Sequence, residues 1–154
     1  MATEIERKYL VKGDSWRSLA VGSTYRQGYI ATRGSATVRV RIAGDKGYLT
    51  IKGPSVGYSR SEFEYLIPLE DAQDMLQTLC ERPLIEKTRY KVDWGGLVWE
   101  IDEFDGSNKG LIIAEVELSD ENQLIELPTW VGEEVSDDPR YFNSNLVKHP
   151  FTQW

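Results

Sequence analysis

The sequence predicts a mainly β protein of the α+β class: seven or eight antiparallel strands in a sheet that curls or closes, with two or three helices packed outside. Three observations carry this. Short strand-like segments follow one another, bounded by turn residues such as Gly44-Asp45-Lys46-Gly47, Gly53-Pro54 and Gly95-Gly96. Within each segment apolar and charged residues alternate with a period of two. The charged positions form same-sign doublets, where a solvated strand face would mix charges with Thr, Ser and Gln. A sheet of that many strands in 154 residues tends to curl or close.

The first strand spans residues 3–11. Its period places Glu4, Glu6 and Lys8 on one face, roughly 6–7 Å apart, and Ile5, Arg7 and Tyr9 on the other. A second strand is predicted over 24–32, after the polar stretch around Gly13 and Asp14. The third, Val38 to Ile42, turns Arg39 and Arg41 away from Val38, Val40 and Ile42, and a hairpin leads to 48–52, where Lys52 opposes Leu49 and Ile51. In residues 59–67, Glu62 and Glu64 oppose Phe63 and Tyr65.

Pro68 introduces a helix predicted over 69–82. Leu69, Ala72, Leu76, Leu79 and Cys80 form its apolar stripe, acids sit at its start, and Pro83 ends it. Strands follow at 84–92 (Lys87 and Arg89 on one side), 98–103 (Glu100 and Asp102 opposite Trp99 and Ile101) and 111–118 (Glu115 and Glu117 opposite Ala114 and Val116). Ser119 followed by two acids reads as the cap of a short helix over 119–127. A last helix fits 141–148, before Pro150. Cys80 reads as a small core residue, His149 as a tail residue, and Glu133-Glu134 with Asp137-Asp138 as a solvated acidic loop.

One face of the sheet therefore carries eight acids and six bases, and the other carries Trp99, Phe63 and Tyr65, which need cover. If the sheet closes with its apolar face beneath the helices, the charges line the inside. Dry buried charges cost several kcal/mol each, whereas a wet bore with facing acids and bases costs far less. Such a bore suits a divalent cation together with a polyphosphate.

Length and composition bound the rest. The chain reads as a single domain over 1–154, with 40% hydrophobic and 28% charged residues. No run approaches the roughly 18 apolar residues of a membrane helix and no leader opens the chain, so the sequence predicts no membrane association and a cytoplasmic location. The net charge of −7 argues against a nucleic-acid partner. One cysteine and one histidine exclude a disulfide and a Cys/His zinc site, which leaves oxygen ligation by Mg²⁺, Mn²⁺ or Ca²⁺.

Glu4-Ile5-Glu6-Arg7-Lys8 resembles the ExExK signature of the CYTH superfamily, the triphosphate tunnel metalloenzymes. The later motifs fall in that family's order: Arg39-Val40-Arg41, Thr50-Ile51-Lys52, Glu62-Phe63-Glu64, Glu86-Lys87-Thr88-Arg89-Tyr90, Glu100-Ile101-Asp102 and Glu115-Val116-Glu117. Arg26-Gln27-Gly28-Tyr29 and the stretch from Trp130 to Val135 resemble the compact bacterial branch. The likeness covers essentially the whole chain. It implies a closed eight-stranded antiparallel β-barrel forming a tunnel, with Mg²⁺ or Mn²⁺ as cofactor and a small-molecule triphosphate as substrate.

By position, the resemblance assigns Glu4, Glu6, Glu115 and Glu117 to the metal, assisted by Glu62, Glu64, Glu100 and Asp102. It assigns Lys8, Arg39, Arg41, Lys52, Lys87 and Arg89 to the phosphate oxygens, with Lys8 and Lys87 as proton donors or binders. Tyr29 matches a family tyrosine that positions or deprotonates water, and equally reads as a barrel tyrosine bonded to a carboxylate. The function expected is hydrolysis of inorganic triphosphate to pyrophosphate and phosphate. Adenylyl cyclisation of ATP, thiamine triphosphate hydrolysis and non-catalytic polyphosphate binding are the alternatives, and a homodimer is compatible with the sequence.

Overall fold

The computed structural model describes residues 3–154. Its strands are β1 (Thr3–Val11), β2 (Ser23–Ile30), β3 (Thr37–Ala43), β4 (Lys46–Lys52), β5 (Ser59–Ile67), β6 (Ile85–Trp94), β7 (Leu97–Phe104), β8 (Ile112–Glu117) and β9 (Val131–Glu134). Its α-helices are α1 (Leu69–Thr78) and α2 (Asn143–Lys148). The order β5-β4-β3-β2-β6-β7-β8-β1, with β1 pairing back to β5, closes eight antiparallel strands into a barrel. The ninth strand adds to β1: one edge of β1 takes β5 along Thr3–Ile5 and β9 at Tyr9 and Val11. No helix among the described residues is long and apolar enough to cross a membrane.

The registers turn the charged face inward. Glu6 lies opposite Glu117 and Lys8 opposite Glu115; Arg89 faces Asp102, and Lys52 faces Glu62. The outer face is apolar, but its cover is uneven. α1 lies over β3 and β4, burying Val40, Ala72 and Leu76. The largest cluster, with Tyr9, Trp99, Ile101 and Val116, is closed by Trp16 from a 3₁₀ turn over Ser15–Ser18 and by Trp130 from a loop, and by no α-helix. Phe63 and Tyr65 on β5 stay 43% and 57% exposed, so the expectation that helices cover them fails.

Three elements differ from expectation. α1 ends at Thr78, short of Arg82, because the amides of Leu79 and Cys80 both bond to the Met75 carbonyl and the amide of Glu81 reaches across to Tyr29 O at 2.8 Å. That turn brings Cys80 and Leu84 against β2 at Gly28, where a Cβ would lie 2.7 Å from Cys80 Cβ and from a Leu84 methyl; only glycine fits. The 119–127 stretch is not a helix. Gln123 Oε1 accepts from the amide and hydroxyl of Ser119, and Asp120 Oδ1 accepts from the Asn122 amide, so side chains satisfy the backbone in a turn. The acidic loop is partly strand: Glu134 lies in β9 and forms a bidentate ion pair with Arg7, at 2.7 and 3.0 Å.

The two ends of the bore differ. At one end Leu146 and Val147 of α2, with Tyr141, pack on the inward residues Tyr29, Ile85, Phe104 and Ile113 as an apolar plug. The opposite end carries Glu64, Glu100 and Glu117, with Lys91 and Tyr48.

Candidate active site

The bore holds two connected cavities, about 230 Å³ on the α2 side and about 270 Å³ on the acidic side. Glu4, Glu6, Arg39, Arg41, Lys52, Arg89 and Glu115 line both and form the waist between them. Lys8, Tyr29 and Lys87 line the α2 side; Glu62, Glu64, Glu100 and Glu117 line the acidic side. The fold thus brings together thirteen of the fourteen charged candidates, with Tyr29. Asp102 lines neither cavity.

Most of these groups hold one another. Lys52 Nζ bonds both oxygens of Glu4 at 3.0 Å and lies 3.2 Å from Glu62. Lys8 sits 3.5 Å from Glu115 and donates to the Tyr141 carbonyl. Arg39 bonds Thr50 Oγ1 at 3.2 Å and Glu64 at 3.4 Å, and Arg89 lies 3.1 Å from Glu100.

Asp102 is the most enclosed acid, 1% exposed. It receives Arg89 Nε at 2.7 Å, Arg89 Nη2 at 2.9 Å and Lys87 Nζ at 2.8 Å. With both oxygens engaged and no access to the bore, Asp102 anchors two bases, a different position from the metal-side role that its motif implied.

Two carboxylates stand apart. Among the described residues, Glu6 and Glu117, neighbours across β1 and β8, have no ion pair to a base. Burial, with Glu115 and Glu4 nearby, pushes Glu6 up to about 8. Burial and the same kind of crowding, from Glu4 and Glu100, raise Glu117. Glu4 behaves oppositely: burial opposes ionisation, but a hydrogen bond to Glu62 and the charges of Lys52 and Arg60 hold it down to about 2. Glu62, hydrogen-bonded to that carboxylate and partly buried, rises to about 7.

An oxygen-only donor set with unneutralised carboxylates fits a hard divalent cation. As they stand, no three acids among the described residues converge closely enough to hold one, since most lean onto bases. Glu6 and Glu117, beside Glu4 and Glu115, are the donors free to turn toward it.

The bases are crowded too. Burial, then the charges of Arg89 and Arg41, push Lys87 down to about 7 despite Asp102. Burial, then Arg39 and Arg89, lower Arg41 to about 10. Tyr29 Oη accepts from Gln27 Nε2 at 3.2 Å and bonds no carboxylate among the described residues.

Sequence reasoning passed over several residues at the site. Arg60 bonds Glu4 and shares the inward phase of Glu62, so the period of two contained it. Tyr25 lies under both Arg41 and Arg89, with their guanidinium carbons 5.1 and 4.8 Å from its ring. Gln27, buried and uncharged, carries no charge pattern. Phe142 and Asn143 reach the bore through the packing of α2, which no local periodicity encodes.

Comparison with known proteins agrees with the geometry. An inorganic triphosphatase of Acetivibrio thermocellus is 56% identical over 151 residues, covering 98% of this chain and 97% of that protein. One of Nitrosomonas europaea is 38% identical over 149 residues, covering 94% and 97%. The crystal structure of an inorganic triphosphatase superposes with a TM-score of 0.65 at 35% identity, covering 96% of this chain and 95% of that one. A Hippeastrum protein described as a putative adenylyl cyclase with dominant triphosphatase activity shares the fold at 16% identity, with a TM-score of 0.61 over 76% of this chain and 80% of its own. Residues 2–147 match the CYTH domain, and the chain belongs to that family.

Proposed function

We propose that this protein hydrolyses inorganic triphosphate to pyrophosphate and phosphate in a reaction that depends on Mg²⁺ or Mn²⁺. One observation carries the reading: six cationic side chains converge on a bore beside two carboxyl groups that, among the described residues, form no ion pair. The names of the Acetivibrio and Nitrosomonas relatives support the same substrate.

The α2-side cavity takes the triphosphate, because Lys8, Arg39, Arg41, Lys52, Lys87 and Arg89 all line it. Arginine forks match phosphoryl oxygens in pairs, and the lysines add compact charge. Glu6 and Glu117, with Glu4 and Glu115 beside them, would hold the divalent cation, which supplies positive charge to the phosphoryl oxygens and acidifies a nearby water. Glu62, Glu64 and Glu100 sit beyond, holding bases on the acidic side. Fixed charge aimed at the phosphoryl group stabilises an in-line transition state with little reorganisation.

Lys87, held near neutrality by its surroundings, is the proton donor best matched to the leaving phosphate. Lys8, kept charged by Glu115 and Glu6 despite its burial, serves as a binder. Tyr29 accepts a hydrogen bond from Gln27, which leaves its own hydroxyl proton to point into the bore and position water or phosphate.

The test is phosphate release from tripolyphosphate, ATP and thiamine triphosphate with Mg²⁺, Mn²⁺ or excess chelator, alongside a measurement of cyclic AMP. Metal-dependent release with tripolyphosphate preferred supports the reading. Cyclic AMP from ATP, preference for thiamine triphosphate, or binding without turnover would each replace it with the corresponding alternative.

A further inference from the structure

We propose that Gln27 is a positioning residue that holds Arg41 in the bore without neutralising it, so that this guanidinium keeps its charge for the substrate's phosphoryl oxygens. The inference rests on the phosphate-binding reading above. Five of the six bore bases are held by carboxylates: Lys8 by Glu115, Arg39 by Glu64, Lys52 by Glu4 and Glu62, Lys87 by Asp102, and Arg89 by Asp102 and Glu100. Of these six, Arg41 alone forms no ion pair among the described residues. Its Nε donates instead to Gln27 Oε1 at 2.9 Å.

Gln27 is built for this task. It is 0% exposed. Arg41 Nε–H can only donate, so the amide oxygen must face it. The amide nitrogen then donates to Tyr29 Oη at 3.2 Å and reaches Asn143 Oδ1 at 3.5 Å, which fixes the amide from the other side. Asn143 Oδ1 also lies 3.4 Å from Lys87 Nζ, tying the clamp to a second phosphate-facing base through α2. The Tyr25 ring braces Arg41 from below. With Nε occupied, the two Nη groups of Arg41 remain for ligand, at the waist where both cavities meet. A carboxylate at position 27 would hold the same nitrogen equally well but cancel the charge. The neutral amide is therefore the informative feature.

The experiment is a double-mutant cycle read by calorimetric binding of tripolyphosphate in excess chelator, with thermal unfolding alongside. Gln27→Glu in the otherwise native protein is expected to weaken binding roughly tenfold, with the unfolding midpoint unchanged. In the Arg41→Met background the same substitution is expected to change affinity less than about twofold, since the partner it acts through is gone. With metal present, turnover of Gln27→Glu should show the loss mainly in KM. Native affinity in Gln27→Glu, or an equal loss in both backgrounds, would overturn the proposal. A native protein that binds tripolyphosphate without hydrolysing it contradicts only the hydrolytic reading, whereas one that does not bind it overturns both.

Discussion

Two acidic regions inside the same barrel behave in opposite ways. Around Asp102, three N–H donors from Arg89 and Lys87 enclose one carboxylate, and all three side chains are buried. Across β1 and β8, Glu6 and Glu117 face each other, and among the described residues no base bonds to either. Both motifs read alike in sequence, as acid-x-acid or base-x-base on a strand. The difference lies in which strand sits opposite: β7 pairs with basic β6, whereas β1 pairs with acidic β8. Asp102, facing Arg89, builds the cradle; Glu117, facing Glu6, leaves two carboxyl groups with no ion pair among the described residues. We propose that this division separates scaffold from metal site.

The sharpest break should come at Asp102. Asp102→Ala leaves Lys87 and Arg89 buried without their counter-charge and should cost about 3–5 kcal/mol in denaturant unfolding. Glu117→Gln should remove repulsion and Glu6→Gln should leave stability near neutral pH little changed, each lowering metal-dependent turnover by roughly a hundredfold or more. Unimpaired turnover in both would remove those residues from the site.

The pH dependence of stability without metal should follow the two strongly raised carboxyl groups, Glu6 in the unpaired region and Glu62 beside Glu4 and Lys52. Glu6 at about 8 and Glu62 at about 7 bind protons in the folded state that the unfolded chain releases near 4.5. Their contribution is complete below about 4.5 and is lost as pH rises through 7 and 8. Glu4, held near 2, contributes above about 4.5 and loses that contribution as pH falls toward 2. The unfolding midpoint should therefore fall between about pH 4.5 and 8, and Glu6→Gln should flatten the decline. The smallest effect belongs to the outer surface: Arg17→Ala, which breaks an exposed pair with Glu103, should cost under about 1 kcal/mol and leave turnover untouched.

Most of the barrel was legible because its strands alternate cleanly. Val38 to Ile42 and Ile112 to Glu117 assign inside and outside on their own, and the motif order supplied the closure. What escaped depended on distant packing. β9 is four residues whose pairing with β1 is set by the Arg7–Glu134 ion pair, 127 positions apart in sequence. Trp16 and Trp130 cover the outer face from a 3₁₀ turn and a loop, so no α-helical period placed them. Within the site, the charged candidates were visible as doublets, but their division into anchors and free ligands was not. Asp102 and Glu117 occupy equivalent places in their motifs, yet Asp102 is buried opposite Arg89 and Glu117 is exposed opposite Glu6. Gln27 carries no charge, so a search for charge patterns passes over it.

The division between scaffold and metal site is tested most directly by titrating Mn²⁺ into the native protein, Glu117→Gln and Glu64→Gln, with binding followed by the paramagnetic signal of the free ion. The account predicts that Glu117→Gln loses Mn²⁺ affinity by at least about tenfold, whereas Glu64→Gln, which alters only a partner of Arg39 and Thr50, binds like the native protein. Undiminished binding in Glu117→Gln, or an equal loss in both variants, would contradict it.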